Sequence, residues 1–129
     1  RFLIKLESQD QQVSYKQVMV NIKGCGFYFP FPVPSDEVLC SMKLSAMLTR
    51  NKGRDFHDAM FLLAQAQPDY SFLTEKHGIH DLDELKAALV ELLKGVDLNM
   101  KKKDFEHLLF NKRKSEVILS VGKFFQELK

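Results

Sequence analysis

Apolar and polar residues alternate at two places near the start of the chain. In Phe2-Leu3-Ile4-Lys5-Leu6-Glu7, the residues Phe2, Ile4 and Leu6 fall on one side, and Leu3, Lys5 and Glu7 on the other. Val18-Met19-Val20-Asn21-Ile22-Lys23 repeats this period of two, which is that of a strand. Gly24-Cys25-Gly26 reads as a turn, because glycine tolerates positive φ. The run from Phe27 to Pro34 reads as extended. Its alternating prolines remove ladder donors and confine it to a sheet edge or a strap. A sheet this small, with so much aromatic surface, is marginal on its own. Residues 1–34 are therefore expected to be the terminal strands of a larger sheet. The opening RFLIKLESQD begins with Arg1 and is too short and charged for a signal peptide. The chain reads as the C-terminal portion of a longer protein.

Beyond Pro34 the period changes to that of a helix, and residues 35–129 are expected to form a helical domain. Ser35 can cap a helix over about Asp36–Thr49, with Asp36 and Glu37 favouring its dipole and Leu39, Met42, Ala46 and Met47 as its apolar face. Asn51-Lys52-Gly53 breaks it. A second helix is expected from about Arg54 to Gln65, with Phe56, Ala59, Met60, Leu62 and Leu63 inside, stopped by Pro68. A short third covers Phe72 to Lys76. Asp81 and Glu84 form a capping pattern that opens a fourth, about Leu82 to Lys94, closed by Gly95. A fifth spans roughly Lys101 to Phe110. A sixth is capped by Ser115 and carries Val117, Ile118, Val121, Phe124, Phe125 and Leu128. The fold class is α+β, mostly α: a few strands followed by a bundle of five to six helices.

Composition narrows the class. The chain has 129 residues, 45% of them hydrophobic and 28% charged, which suits one ordinary domain and argues against disorder. Cys25 and Cys40 make neither a disulfide scaffold nor a C-x-x-C pair, so two reduced thiols in a cytoplasmic protein are expected. No apolar run is long enough to span a membrane. The net charge of +2 excludes a polycation, yet the charge is uneven: residues 59–97 sum to −4 and residues 98–129 to +4. The basic end holds Lys101-Lys102-Lys103 and Lys112-Arg113-Lys114. These triplets read either as solvated helix surface or as contacts for nucleic-acid phosphates, without the aromatic interleaving of a base-stacking surface.

The chemistry concentrates between Lys43 and Asp58. Four cations (Lys43, Arg50, Lys52 and Arg54) and two carboxylates (Asp55 and Asp58) gather at one helix–turn–helix corner. Lys43 and Arg50 share a helix face, as do Asp55 and Asp58, and Arg54 can pair with Asp58 four residues on. Lys43 and Ser45 interrupt an otherwise apolar helix, so the lysine must reach solvent or a charged ligand. An ion-pair clasp holding the two helices together is an equally good reading of these residues. His77 and His80 are three apart, but Gly78 breaks the helix that would pair them, so a loop is favoured over a metal site. His57 reads as a carboxylate partner, not a base.

This segment resembles the motif block of the AbiEii/AbiGii toxin family of nucleotidyltransferases. The pattern K-x-x-A-x-x-x-R-x-K-x-R-D-x-x-D stands here as Lys43, Ala46, Arg50, Lys52, Arg54, Asp55 and Asp58 without a mismatch, and RFLIKLES and FPFPVPSDEV resemble the preceding strand and proline-containing stretch. The resemblance covers roughly residues 1–66. It implies a polymerase-β-like sheet joined to a helical domain, in bacterial abortive-infection or toxin–antitoxin systems. It also implies transfer of a nucleoside monophosphate from a nucleotide triphosphate to an acceptor, tRNA in some members, with Mg²⁺ stabilising the entering and leaving oxygens. By that similarity Lys43, Asp55 and Asp58 are the expected catalytic residues. Lys43 would touch the triphosphate, and one of the aspartates would orient it or assist the acceptor. Arg50, Lys52 and Arg54 would bind nucleotide or acceptor phosphates, or clasp the aspartates. Glu7 lies on a strand resembling one that supplies a third acidic residue.

The departure from the pattern is as informative. The family's Gly-Ser turn and paired D-x-D, which hold the metal, are absent. The lone Asp81-Leu82-Asp83 sits at a helix start and reads as capping. No metal ligand is assigned in this chain. Mg²⁺ and a nucleotide triphosphate are expected for the intact parent and not for these residues alone, which are expected to be inactive. The rival readings are a helical interaction module that binds an antitoxin or RNA, and a remnant in which the motif survives only as the clasp.

Overall fold

The computed structural model describes residues 3–4 and 10–129. The strand expected over Phe2–Glu7 falls mostly outside the described residues, as does Glu7, and Leu3 and Ile4 carry no strand. The next two extended runs form an antiparallel hairpin, β1 (Gln17–Gly24) and β2 (Phe27–Pro34). Cys25 and Gly26 join them with φ of 50° and 81°. Two consecutive positive φ values are what a two-residue hairpin turn of matching twist requires. Pro30, Pro32 and Pro34 oppose Asn21, Met19 and Gln17. This alternate spacing lets all three prolines turn their nitrogens out of the ladder, where a missing N–H costs no hydrogen bond.

Six α-helices follow: α1 (Asp36–Arg50), α2 (Gly53–Leu63), α3 (Tyr70–His77), α4 (Leu82–Lys94), α5 (Leu98–Glu106) and α6 (Val121–Gln126), with a 3₁₀ segment over Lys112–Ser120 before the last. The architecture is α+β and mostly α. Local capping explains most boundaries. Ser35, Asp69 and Asp81 accept hydrogen bonds from the backbone N–H groups of Val38, Phe72 and Glu84. Asn51 ends α1 in the left-handed conformation with φ of 54°, one that asparagine tolerates better than most residues. The fifth helix starts three residues earlier than the sequence reading placed it, because Asp97 caps it by accepting from Asn99 and Met100.

Two expectations change. The buried face of α1 is Cys40, Leu44 and Met47, whereas Leu39, Met42 and Ala46 are only half-buried. The true face tolerates two serines because their hydroxyls are satisfied. Ser41 donates to the carbonyls of Glu37 and Asp69 at 3.1 and 3.0 Å, and Ser45 meets His77. The C-terminal stretch is not one α-helix capped by Ser115. Asn111 caps a 3₁₀ segment, Ser115 donates to the carbonyl of Lys112, and Val117 points outward. Ser115, Ile118 and Val121 are all fully buried. A spacing of three aligns residues along a 3₁₀ helix, which accounts for the tighter winding.

The core joins these helices through Phe56, Ala59, Leu73, Leu85, Leu89, Phe105, Ile118, Val121 and Phe125. Helix α2 sits centrally, packing on α1, α5 and α6. The hairpin meets this body chiefly where β2 runs into α1. Among the described residues no helix is long and apolar enough to cross a membrane.

Candidate functional site

The site is the corner where α1 turns into α2. The α1 cations reach across the helix seam, and each finds a carboxylate on α2. Arg50 grips Asp55 with two parallel bonds, Nε to Oδ2 at 2.9 Å and Nη2 to Oδ1 at 2.6 Å. The Lys52 backbone N–H donates a third bond to Asp55 at 3.1 Å, so this carboxylate also caps the first turn of α2. The Asp55 side chain has no solvent exposure, whereas that of Arg50 is 43% exposed. The bond to Asp55, followed by attraction from Asp55 and Asp58, holds the Arg50 guanidinium above its ordinary pKa.

Lys43 makes the second cross-seam pair, Nζ to Asp58 Oδ2 at 2.9 Å. Arg54 stands 4.0 Å from the same oxygen, so the expected pairing four residues apart is present but loose. His57 lies 3.8 Å from Asp58 and stacks on Phe105, with ring centroids 4.7 Å apart, which ties α2 to α5. The two options the sequence left for the aspartates thus have definite geometry: Asp58 orients Lys43, and Arg50 clasps Asp55. Lys43 has used one of three ammonium donors, and its side chain remains 31% exposed.

Two hollows flank this corner, and Arg50 borders both. The larger, about 750 Å³, is lined by Arg50, Lys52, Gly53, Arg54, Asp55, the α5 residues Lys103 and Asp104, and His107 just after α5. The other, about 530 Å³, includes Lys43, Ser45, Thr49, Arg50 and Lys76. The expected site residues are therefore split. Lys52, Arg54 and Asp55 face one hollow, Lys43 faces the other, and Asp58 lines neither.

Gly53 explains why α5 reaches the first hollow. A Cβ there would run into the Lys101 carbonyl and press on Phe105. The bare glycine lets the start of α2 lie directly against α5, which brings Lys103 and His107 beside Lys52 and Arg54. In the sequence Gly53 reads only as a helix breaker, and the lysine triplet as solvated surface or phosphate contacts with no link to the Lys43–Asp58 corner. Within that triplet, Lys102 turns to Glu116 at 3.7 Å and Lys103 faces the hollow. Among the described residues Lys52 and Lys103 make no ion pair.

The charges decide what the larger hollow accepts. Arg50 cancels Asp55, leaving Lys52, Arg54 and Lys103 exposed against Asp104 at the positive end of α2. A polyanion fits. A divalent cation does not: both motif carboxylates are occupied by cationic side chains that it would have to displace, and among the described residues no three His, Cys, Asp or Glu gather to hold a metal. The motif aspartates of this chain do not fit Mg²⁺.

On the far side of α1, His77 Nε2 lies 2.7 Å from Ser45 Oγ, a contact that sequence spacing did not reveal. Burial, helped by neighbouring Lys76, pushes the His77 pKa below its ordinary value, so the neutral ring is favoured. His80 instead meets Glu84 at 2.8 Å, so the two imidazoles serve different partners. Cys40 is fully buried and its thiol is pushed up to about 12 by burial, which makes it unreactive, whereas Cys25 is exposed in the hairpin turn. Comparison with protein-family models, with curated proteins and with solved structures finds no match to this chain.

Proposed function

We propose that the chain is the phosphate-binding part of an AbiEii-like nucleotidyltransferase, contributing contacts to a nucleotide triphosphate or to the phosphates of an RNA acceptor such as tRNA. One observation carries the reading: Lys52, Arg54 and Lys103 converge, without strong partners of their own, on a hollow at the positive end of α2. Phosphate is bound well by such a combination of mobile point charges and a planar guanidinium. Lys43, steadied by Asp58, offers its remaining donors on the other side of α1. The chain's own groups bind and orient. Asp55 and Asp58 are committed to Arg50 and Lys43, so the chain alone is expected to incorporate no labelled nucleotide into tRNA.

The test is binding, not turnover. Fluorescent ATP and labelled tRNA would each be titrated with the wild-type chain and with the Lys52→Ala, Lys103→Ala double variant, at several salt concentrations. Weakening of at least about tenfold, with a shallower salt dependence, is expected when two phosphate contacts are lost. Unchanged affinity for both ligands in the variant would refute the assignment.

A further inference from the structure

The hairpin is two-faced. The register pairs Val18 with Val33, Val20 with Phe31, Ile22 with Phe29 and Gly24 with Phe27. Side chains alternate across a sheet, so these residues share one face, and every one that has a side chain is apolar. Phe29 and Phe31 meet edge to face on it, with ring centroids 6.4 Å apart. The opposite face carries Gln17, Met19, Asn21, Lys23, Tyr28 and the prolines. The apolar face is nonetheless open: Phe27 is 70% exposed, Phe31 48%, Phe29 44%, and Val18, Val20 and Ile22 39% each.

We propose that this face is a homodimer interface, on which two copies of the chain stack their hairpins about a two-fold axis. Three observations favour a second copy. First, the face is uncharged and uniform, so a copy of itself meets no like charge, and it has no charge pattern by which an unlike partner would be selected. Second, its open area suffices. With a phenylalanine offering about 200 Å², the six exposed residues present roughly 500 Å², and two copies roughly 1,000 Å², about the threshold for a specific interface. Third, the edges limit other routes. Pro30, Pro32 and Pro34 leave the outer edge of β2 without donors at those positions, so no strand can add there, and stacking face to face covers the apolar surface that edge pairing would leave wet. The result is a small four-stranded sandwich, two sheets about 10 Å apart, which has the third and fourth strands that a lone hairpin lacks.

Sedimentation equilibrium of the full chain across the micromolar range tests this. A concentration-dependent shift to twice the chain mass is expected. Phe31→Glu should weaken it at least tenfold while the helical circular dichroism stays unchanged, because the hairpin contributes little to the helical core. Met19→Glu, on the opposite face, should leave dimerisation as it was. The proposal is overturned by a single-chain mass at every concentration, by a dimer indifferent to Phe31→Glu, or by equal weakening from Met19→Glu.

Discussion

The Arg50–Asp55 pair should be the strongest single electrostatic tie in the fold, and its strength can be worked from the geometry. Asp55 is wholly buried and takes three hydrogen bonds, two of them from Arg50. Removing one partner of a fully buried pair costs about 3–5 kcal/mol, whereas an exposed pair is worth less than about 1 kcal/mol. The Arg50 side chain is 43% exposed, so water can enter the place it vacates. Arg50→Ala should therefore cost an intermediate amount, about 2–3 kcal/mol. Asp55→Ala leaves an arginine that can hydrate and a Lys52 amide that cannot be capped. Its cost should be about 1–2 kcal/mol. Urea unfolding followed at the helical circular dichroism band, run as a double-mutant cycle, isolates the coupling, expected at about 1–2 kcal/mol. In melting temperature Arg50→Ala should lose roughly 8–12 °C for a domain of this size. A coupling below about 0.5 kcal/mol, or a greater loss from Asp55→Ala than from Arg50→Ala, would show that the clasp does not hold the corner together.

Two further outcomes follow from other contacts. Gly53→Ala forces a Cβ into the Lys101 carbonyl, so it should destabilise by about 1–3 kcal/mol in urea melts despite alanine's better helix propensity. It should also weaken phosphate binding as α5 is pushed away, and a neutral or stabilised variant would contradict the close approach. Because His77 has a lowered folded pKa, the unfolded chain binds a proton more readily. Stability should be full above the unfolded value near 6.5 and lost as pH falls from there through the lower folded value. His77→Gln keeps a partner for Ser45 and should flatten that part of the pH dependence of the urea midpoint. An identical slope in the variant would remove His77 from the account.

How much was legible in the chain depended on how local each cause was. Alternation marked β1, and the glycine-flanked turn marked its end, because both are properties of neighbouring residues. Asp81 and Ser35 gave their helix starts for the same reason. Met47 was placed correctly, but the rest of the α1 face was misread because Leu39, Met42 and Ala46 satisfy helical spacing as well as Cys40 and Leu44 do. Only the partners of Ser41 and Ser45, which lie on other elements, decide between them. At the motif a clasp between the two helices was legible, but not which side chains would pair in it. Spacing along one helix suggested Arg54 with Asp58, the loosest of the pairs at 4.0 Å. The two tight ones, Arg50 with Asp55 and Lys43 with Asp58, cross the helix seam, and no helical periodicity encodes a seam. Lys103 enters the hollow only because Gly53 allows close packing, a consequence of a missing side chain rather than of any charge pattern.

The clasp and the basic hollow began as rival explanations of the same residues, but electrostatics makes the first a condition of the second. Asp55 lines the hollow and is buried, so its charge cannot be screened by solvent on its own side. A unit charge about 8 Å from a phosphate, at an effective dielectric near 20, contributes about 2 kcal/mol. An unmatched Asp55 would set that much repulsion against an incoming phosphate, enough to offset the pull of one lysine at a similar distance. Arg50 removes it while leaving Lys52 and Lys103 unpaired and Arg54 only loosely held by Asp58. The ion pair therefore does two things with one geometry: it fixes the angle at which α2 leaves α1, and it neutralises the one carboxylate that the angle requires. On this argument the Arg50→Ala chain binds phosphate poorly, and Asp55→Ala in the same chain restores binding, a recovery that neither a direct Arg50 contact nor a purely structural clasp gives reason to expect.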